Sequence, residues 1–119
     1  MSEDLRRASL FAMNQDVIIP YDHENLPLSV DEDEGVIAWI GFESPELGKQ
    51  CNVIDPSQFV WGQMSGLQYL KFLHERIEAG GTHVLVINPG TDRQMGMDNE
   101  SIVSFLEWLD KNPNGLQQF

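Results

Sequence analysis

Residues 82–90 read Thr-His-Val-Leu-Val-Ile-Asn-Pro-Gly, an apolar run closed by turn-forming residues. Side chains along a strand alternate between its two faces, so Val84 and Val86 point one way and their neighbours in the chain point the other. Both faces are therefore largely apolar, which is typical of a strand in the middle of a sheet that is covered on both sides. This run predicts the central strand of the fold.

The end of the run predicts a rigid turn. Pro89 fixes its own φ and has no N–H to donate, and Gly90 accepts a positive φ. These properties suit the two central positions of a type II turn that starts at Asn88. We expect this turn to be exposed and available for contact.

The helix that precedes the central strand is specified at both ends. Ser65 and Gln68 form a capping box at its start, and Gly80-Gly81 is a common left-handed stop at its end. Between them, apolar residues recur at helical spacing and predict a side that faces the core. The members of this stripe are Leu67, Leu70, Leu73 and Ile77.

The N-terminal third of the chain predicts one helix, one strand and one hairpin. Residues 2–14 place apolar side chains at helical spacing, and residues 16–20 suit a strand that a proline ends. Residues 28–42 suit a hairpin with a tip at 31–35, because adjacent carboxylates repel one another and favour water. The tip lacks the spacing of a calcium loop, so a solvated tip is the favoured interpretation.

The remaining elements are predicted from helix caps and breaks. Ser44 and Pro45 suit the N-cap and first position of a helix, whose length Gly48 limits. The other segments are 51–60 as a strand or extended crossover, 91–97 as a loop, and a final helix capped by Asp98 or Asn99 and ended at 112–115. Helices and strands thus alternate along the chain.

This pattern predicts a single domain over residues 1–119, of the α/β or α+β class. We expect a central mixed β-sheet of about four to five strands that helices cover. The chain contains 19 acidic and seven basic residues, for a formal net charge of -12, which repels phosphate backbones and anionic lipid. We therefore expect no nucleic-acid and no membrane partner. There is no secretory leader and no apolar run near the roughly 18 residues that a bilayer requires, so we expect a cytoplasmic location.

No local pattern identifies a reaction, a metal site or a cofactor. Ser65 is explained by its capping role, and the histidines His23, His74 and His83 are scattered without zinc spacing. Cys51 is a lone thiol, and no glycine-rich phosphate loop follows a strand. The sequence therefore predicts a non-catalytic protein without metal or cofactor. A small hydrolase that uses Cys51 or Ser65 with a histidine is the least favoured alternative.

Large aromatic residues are more numerous than one small core needs. Phe72 lies on the polar side of its helix and Trp61 just before that helix. Trp39 lies on a strand with two apolar faces, and Trp108 lies at the edge of the apolar face of the last helix. Either helices on both faces of the sheet cover these side chains, or they form a contact surface for a partner protein or a second copy of the chain. The candidate contact surface comprises Phe72, Tyr69, Arg76, Trp61, Asn88, Pro89 and Gly90.

Two short motifs, in their order along the chain, resemble the N-terminal domain of the SseB family, bacterial proteins named for enhanced serine sensitivity. One is the strand-to-helix junction Phe42-Glu43-Ser44-Pro45-Glu46, which has glutamate where the family pattern has threonine, and the other is the intact Asn88-Pro89-Gly90 turn. The resemblance spans roughly residues 5–106, and longer relatives continue into another domain. It implies a small cytoplasmic bacterial α/β domain with a regulatory or protein-binding role, no established enzymatic activity and no cofactor.

Two hypotheses from different classes follow. The first is a non-catalytic protein-interaction or regulatory module that uses the aromatic residues and the turn. The second is an acidic immunity-type protein that neutralises a basic toxin or nuclease, which the net charge of -12 and the acidic cluster at 31–34 favour. The partner is unknown in both, with a basic protein or a homodimer as the expected forms.

Overall fold

The computed structural model describes residues 16–31, 33–51 and 55–115. The strands in these ranges are β1 (Val17–Tyr21), β2 (Ser29–Asp31), β3 (Val36–Gly41), β4 (Val60–Met64), β5 (Thr82–Ile87) and β6 (Met95–Met97). The α-helices are α1 (Pro45–Gln50), α2 (Gly66–Ala79) and α3 (Asn99–Lys111), and short 3₁₀ turns occupy Asp33–Gly35 and Pro56–Gln58. The helix predicted at 2–14 lies outside the described residues. None of the described helices is long and apolar enough to cross a membrane.

The main sheet has four strands in the order β2-β3-β5-β6. Strands β3 and β5 are parallel, with Trp39 opposite Leu85, and the edge strands β2 and β6 run antiparallel to their neighbours. A parallel pair needs a long crossover, which here contains α1, β4 and α2. The predicted mixed sheet is confirmed, and the chain has the α+β form of the predicted class.

Strand β5 is central, as predicted from its two apolar faces. On one face His83, Leu85 and Ile87 are all buried, whereas Val84 and Val86 on the other face are half-buried. The buried face points toward α2 and α3, which pack side by side against β5. Burial is therefore complete on one side of the sheet and partial on the other.

A second, two-stranded sheet pairs β1 with β4 in antiparallel fashion. Pro20 does not end β1, contrary to the prediction from sequence. A strand residue directs its N–H and C=O to the same side, and the Pro20 carbonyl accepts a hydrogen bond from the Leu28 N–H at 2.9 Å. The missing N–H of Pro20 therefore lies on the side away from β4, where the β1–β4 ladder does not need it.

Ile18 connects the two sheets. Its N–H donates to the Phe42 carbonyl and its carbonyl accepts from the Phe42 N–H, each at 2.8 Å. Phe42 lies directly after β3, so this pair fixes β1 and β4 beside the end of a main-sheet strand. The chain of contacts positions β4 next to α1.

The core has two parts. The larger cluster fills the space between the main sheet and the helices α2 and α3, and its buried members are Val17, Ile19, Trp39, Tyr69, Leu70, Leu73, Leu85, Ile87, Met97, Ile102 and Phe105. The smaller cluster lies on the opposite side of β3 and contains the buried residues Ile40, Phe42 and Cys51, with Ile18, Leu28, Leu47 and Trp61 half-buried around them. The two clusters follow from strand alternation, because Trp39 and Ile40 are neighbours in β3.

Helix starts are confirmed at the residues predicted. Ser65 and Gln68 form a capping box with hydrogen bonds of 3.1 and 3.4 Å, and Ser44 Oγ accepts from the Leu47 N–H at 3.3 Å. Asp98 is the N-cap of α3, where it accepts from the Ser101 N–H at 2.8 Å. The hairpin of β2 and β3 is confirmed too, and both Glu34 and Gly35 in its tip have positive φ.

Three details of the sequence interpretation are wrong. Gly48 lies inside α1, which continues to Gln50, and its missing side chain makes room for the Trp61 ring, which an added Cβ would meet at 3.1 Å. Met95–Met97 forms the edge strand β6 in a segment predicted to be a loop. Strand β4 begins at Val60, which is the last residue of the segment 51–60 that was predicted to be a strand or extended crossover. Both strands are stabilised by ladders to other strands, β4 to the distant β1 and β6 to the preceding strand β5.

Candidate functional site

The residues predicted to form one contact surface lie in three separate places. Phe72, Tyr69 and Arg76 belong to α2, Trp61 belongs to β4, and the turn at 88–90 follows β5. The three places differ in burial and in chemistry.

Phe72 is part of an aromatic cluster inside the fold. Its ring meets the Trp39 ring edge-on, with centroids 5.1 Å apart and an interplanar angle of 86°, and it lies 6.3 Å from the ring of Tyr69. The Arg76 guanidinium covers the outer side, with Cζ 5.1 Å from the Phe72 centroid and 5.9 Å from that of Trp39. Phe72 is therefore half-buried, with part of its ring covered, and its role as a contact residue stays a prediction.

Tyr69 is fully buried and cannot contact a partner in this fold. Its exposed fraction is 0%, and its hydroxyl donates a hydrogen bond of 2.8 Å to the Ile40 carbonyl. Burial raises the pKa of the Tyr69 phenol far above its ordinary value, and the nearby Tyr21 adds to the effect. Tyr69 joins the two clusters across β3, which is a structural role and not the predicted contact role.

His83 is a buried core histidine with both ring nitrogens in use. The Trp39 Nε1–H donates to His83 Nδ1 at 3.0 Å, so Nδ1 is an acceptor and the ring proton lies on Nε2. Nε2 then donates to the Gly80 carbonyl at 3.1 Å, and the His83 N–H donates to Asn99 Oδ1 at 3.1 Å. These contacts connect β3, β5 and the start of α3.

The turn after β5 is partly buried, contrary to the prediction that it is exposed. Gly90 has a φ of 75° and the Thr91 N–H donates to the Asn88 carbonyl at 3.3 Å, as expected for the predicted type II turn. However, Asn88 is 0% exposed and Pro89 is also buried, which leaves Gly90 as the exposed residue of the three. A partner can therefore reach only the end of this turn.

The hydrogen bonds of the buried Asn88 side chain hold the turn against the neighbouring segments of the chain. Its Oδ1 accepts from the Glu43 N–H at 2.9 Å, and its Nδ2 donates to the Arg93 carbonyl at 3.4 Å. The Asn88 N–H also donates to the Gly41 carbonyl at 2.9 Å. The two motifs of the sequence resemblance thus contact each other, because Glu43 belongs to the strand-to-helix junction and Asn88 begins the turn.

A polar cleft of about 470 Å³ separates this junction from the turn. Its hydroxyl groups already have partners, since Ser44 Oγ accepts from the Leu47 N–H and Thr91 Oγ1 donates to the Asn88 carbonyl at 2.8 Å. Asp92 and Arg93 place opposite charges at its edge. These opposite charges leave the cleft without a net charge that would select one class of ligand.

Trp61 lines a more apolar groove of about 570 Å³ between β1, α1 and β4. Its apolar lining comes from Ile18, Pro45 and Trp61, and its polar rim carries Lys49, Ser57 and Gln63. The volume is within the range of known ligand pockets, which is about 300 to 1,000 Å³. Among the predicted site residues, Trp61 is the member that the structure places at such a groove.

The groove is built on the smaller core cluster. The Trp61 ring packs against Phe42 at a centroid distance of 5.7 Å and rests on Gly48. On the other face of β4, the Tyr21 ring covers Gly62, where an added Cβ would lie 2.7 Å from Tyr21 Cε2. Both glycines therefore permit close aromatic packing that holds β4 in place.

Sequence reasoning did not identify Ile18 and Pro45 as site residues. Strand alternation shows that Ile18 points away from its neighbours Val17 and Ile19, and Pro45 was recognised as the start of a helix. Their shared groove could not be predicted, because it depends on how three elements that are distant in sequence meet.

Three carboxylates are close in sequence to groove-lining residues. Asp16, Glu46 and Asp55 flank groove-lining positions in the chain and are all exposed, whereas Lys49 is the basic residue at the rim. The Asp55 carboxylate accepts from the Ser57 hydroxyl at 2.8 Å and from the Ser57 N–H at 3.1 Å. Both hydrogen bonds lower the pKa of the Asp55 carboxyl, and the one from the Ser57 hydroxyl has the larger effect. The carboxylate is therefore ionised at neutral pH.

The acidic surface as a whole has few internal partners. Within the described ranges, every carboxylate residue whose burial is defined is exposed except the half-buried Asp22. In the same part of the chain, the pair His74 Nε2 and Glu78 Oε1, 3.5 Å apart, is the only side-chain contact at ion-pair distance. No described Lys or Arg side chain thus lies within ion-pair distance of a described carboxylate, and the negative charges of this surface are not neutralised by cations of the described chain.

His83 and His74 have structural contacts, whereas His23 is exposed in the turn after β1. His83 bonds to Trp39 and Gly80, and His74 lies beside Glu78 one helical turn away. No group of three or more His, Cys, Asp or Glu residues in the described segments is arranged to hold a metal ion.

Comparisons with known proteins found no match: no family model fits the chain, and no curated protein and no solved structure matches it. The resemblance to the SseB family therefore stays a prediction.

Proposed function

We propose that the chain is a non-catalytic protein-interaction module that binds a basic partner protein. The observation that carries this proposal is the exposed, uncompensated carboxylate surface of a chain with a net charge of -12. Charges that no internal cation neutralises remain available to a partner, and they accelerate the encounter with a protein of opposite charge.

The resemblance to the N-terminal domain of the SseB family agrees with this proposal, since it implies a regulatory or protein-binding role without enzymatic activity in the bacterial cytoplasm. The hydrogen bond from the Glu43 N–H to Asn88 Oδ1 places the two motifs side by side in the fold. A cytoplasmic location and the absence of catalysis are parts of the proposal.

The test is capture of partners with the full chain as bait from a lysate of the source cell, followed by titration with each purified partner. We expect a partner with a net positive charge, whose affinity falls steeply as sodium chloride rises through the physiological range. Cytochrome c, a basic protein unrelated to the chain, is the control for non-specific attraction and should bind more weakly than the true partner at every salt concentration. A partner whose affinity is independent of ionic strength would refute the proposal.

A second candidate is the acidic immunity-type protein, which the exposed acidic tip of the β2–β3 hairpin favours. Asp31 and Glu34 are both exposed there, and Glu34 adopts a φ of 63° that sets the direction of the tip. This candidate requires that the purified chain inhibits the toxic or nuclease activity of the captured partner. A captured partner without such activity would exclude it and leave the first proposal intact.

A further inference from the structure

We infer that the groove between β1, α1 and β4 binds a small apolar molecule that carries one carboxylate. The apolar part of the molecule lies on the floor of the groove, and its carboxylate pairs with Lys49 at the rim. The volume of the groove, about 570 Å³, suits a small molecule, since pockets for such ligands measure about 300 to 1,000 Å³. This site is independent of the proposed function, because it concerns a small ligand and one groove instead of the acidic surface as a whole.

The floor of the groove is apolar and rests on the smaller core cluster. Ile18 and Trp61 are half-buried, pack against the buried Phe42 and line the groove with the rest of their surface. Pro45, the first residue of α1, adds an exposed apolar wall. An apolar ligand that covers these side chains gains free energy in proportion to the area removed from water.

The charge of the ligand follows from the charge of the lining. Among the described residues that line the groove, Lys49 has the only charged side chain, and no carboxylate of the described chain lies at ion-pair distance from it. A ligand carboxylate can therefore pair with Lys49 without displacing a described partner. The net charge of -12 repels simple anions from the protein, so the apolar floor must supply most of the affinity.

The other polar residues of the rim orient the carboxylate. The Ser57 hydroxyl already donates its proton to the Asp55 carboxylate at 2.8 Å, so it can only accept, and an anion beside it would be repelled by Asp55. The exposed Gln63 contributes an amide that can donate. The carboxylate of the ligand is therefore directed toward Lys49 and away from Ser57.

The groove is also preformed. Trp61 is held against Phe42 with ring centroids 5.7 Å apart, and the missing side chain of Gly48 allows the ring to lie on α1. Ile18 is fixed by two backbone hydrogen bonds to Phe42. A ligand can therefore enter without rearranging β1 or β4, which lowers the entropy cost of binding.

The test uses three probes that separate the apolar contribution from the charge. The probe 2-naphthoate has an apolar ring system and a carboxylate, 2-naphthamide has the same rings without the charge, and acetate has the charge without the rings. Titrations of the full chain at neutral pH follow the backbone amide signals of Gly62 and Gln63 by NMR. We expect naphthoate to bind about threefold more tightly than naphthamide and at least about tenfold more tightly than acetate.

Two variants and a matched control test the role of Lys49. Lys49→Gln removes the charge at the rim, whereas Lys71→Gln makes the same change at an exposed position of α2, beside a different groove between α2 and α3. We expect Lys49→Gln to weaken naphthoate about threefold without changing naphthamide, and Lys71→Gln to change neither. Gln63→Lys adds a second cation to the rim and should tighten naphthoate about threefold, a gain that a folding defect cannot produce.

Three results would overturn the inference. Equal affinities of the parent chain for naphthoate and naphthamide would mean that Lys49 selects no charge. Equal effects of Lys49→Gln and Lys71→Gln on naphthoate binding, or amide shifts confined to residues outside 61–63, would place binding elsewhere. None of these results bears on the capture of a basic partner, and failure of that capture would refute the proposed function while leaving this site standing.

Discussion

Asn88 combines a backbone requirement with a side-chain requirement at one buried position. Its φ of 57° lies in the left-handed region, which asparagine tolerates better than most residues other than glycine. Its amide also pairs with the Glu43 N–H and the Arg93 carbonyl. Glycine meets only the first requirement and aspartate only part of the second, so asparagine suits the position best.

We therefore predict that Asn88→Ala lowers the free energy of unfolding by about 2 to 3 kcal/mol, since it loses both side-chain hydrogen bonds and strains the backbone. Asn88→Gly loses the same hydrogen bonds without the strain, and should be about 1 kcal/mol more stable than Asn88→Ala. Urea unfolding of the two variants and the parent measures both differences. Equal stabilities of the alanine and glycine variants would show that the backbone conformation contributes nothing.

The role of single residues is where prediction from sequence was least successful. The type of turn at 88–91 follows from Pro89 and Gly90 alone and was predicted correctly, because φ preferences are local. The burial of Asn88 depends on Glu43, which is 45 positions earlier in the chain. The partial burial of Phe72 could not be predicted for the same reason, since a helical projection cannot show that Trp39 reaches that side of α2.

At the scale of elements, the helix ends and the β2–β3 hairpin were predictable, whereas the pairs β1–β4 and β5–β6 were not. The caps at Ser44, Ser65 and Asp98 depend on hydrogen bonds within three residues, so the sequence contains the whole signal. Strands β4 and β6 have weak local patterns and exist because β1 and β5 provide partners. The groove combines three such elements, and its existence is a consequence of their packing.

The cap of α3 gives a prediction that depends on pH. The Asp98 carboxylate accepts hydrogen bonds from the backbone N–H and from the side chain of Ser101. Both lower the pKa of Asp98, and the backbone hydrogen bond has the larger effect. Because the folded pKa is below the unfolded value of about 3.9, the charged cap stabilises the fold fully above that value. The stabilisation is lost as the pH falls through the folded pKa.

We expect Asp98→Ala to lower the free energy of unfolding by about 1 kcal/mol at neutral pH. Asp98→Asn is the matched control, because asparagine is also a good N-cap but does not titrate. The stability difference between the parent and Asp98→Asn should therefore shrink when the pH is lowered below about 4, as measured by urea unfolding across the acid range. A difference that stays constant with pH would mean that the charge of Asp98 has no part in capping.

At the scale of the whole molecule, charge works against the packing that holds the sheets and helices together. The large cluster is continuous from β1 to α3, but the described surface that encloses it carries carboxylates with a single ion-pair contact, His74–Glu78. Like charges that are not paired repel one another more in the compact state than in the unfolded chain. The same feature that would attract a basic partner therefore destabilises the free protein.

We predict that sodium chloride stabilises the free chain. Between very low ionic strength and about 0.5 M salt, the free energy of unfolding should rise by on the order of 1 kcal/mol, because the Debye length falls and the repulsion is screened. Glu24→Lys, at an exposed position in the turn after β1, should raise the stability by a few tenths of a kcal/mol at low salt, and Glu24→Gln by about half as much. Both gains should disappear at high salt, since screening removes the repulsion that they relieve. Urea unfolding at several chloride concentrations measures all three effects, and a parent chain whose stability falls as salt rises would show that favourable charge pairs outweigh the repulsion.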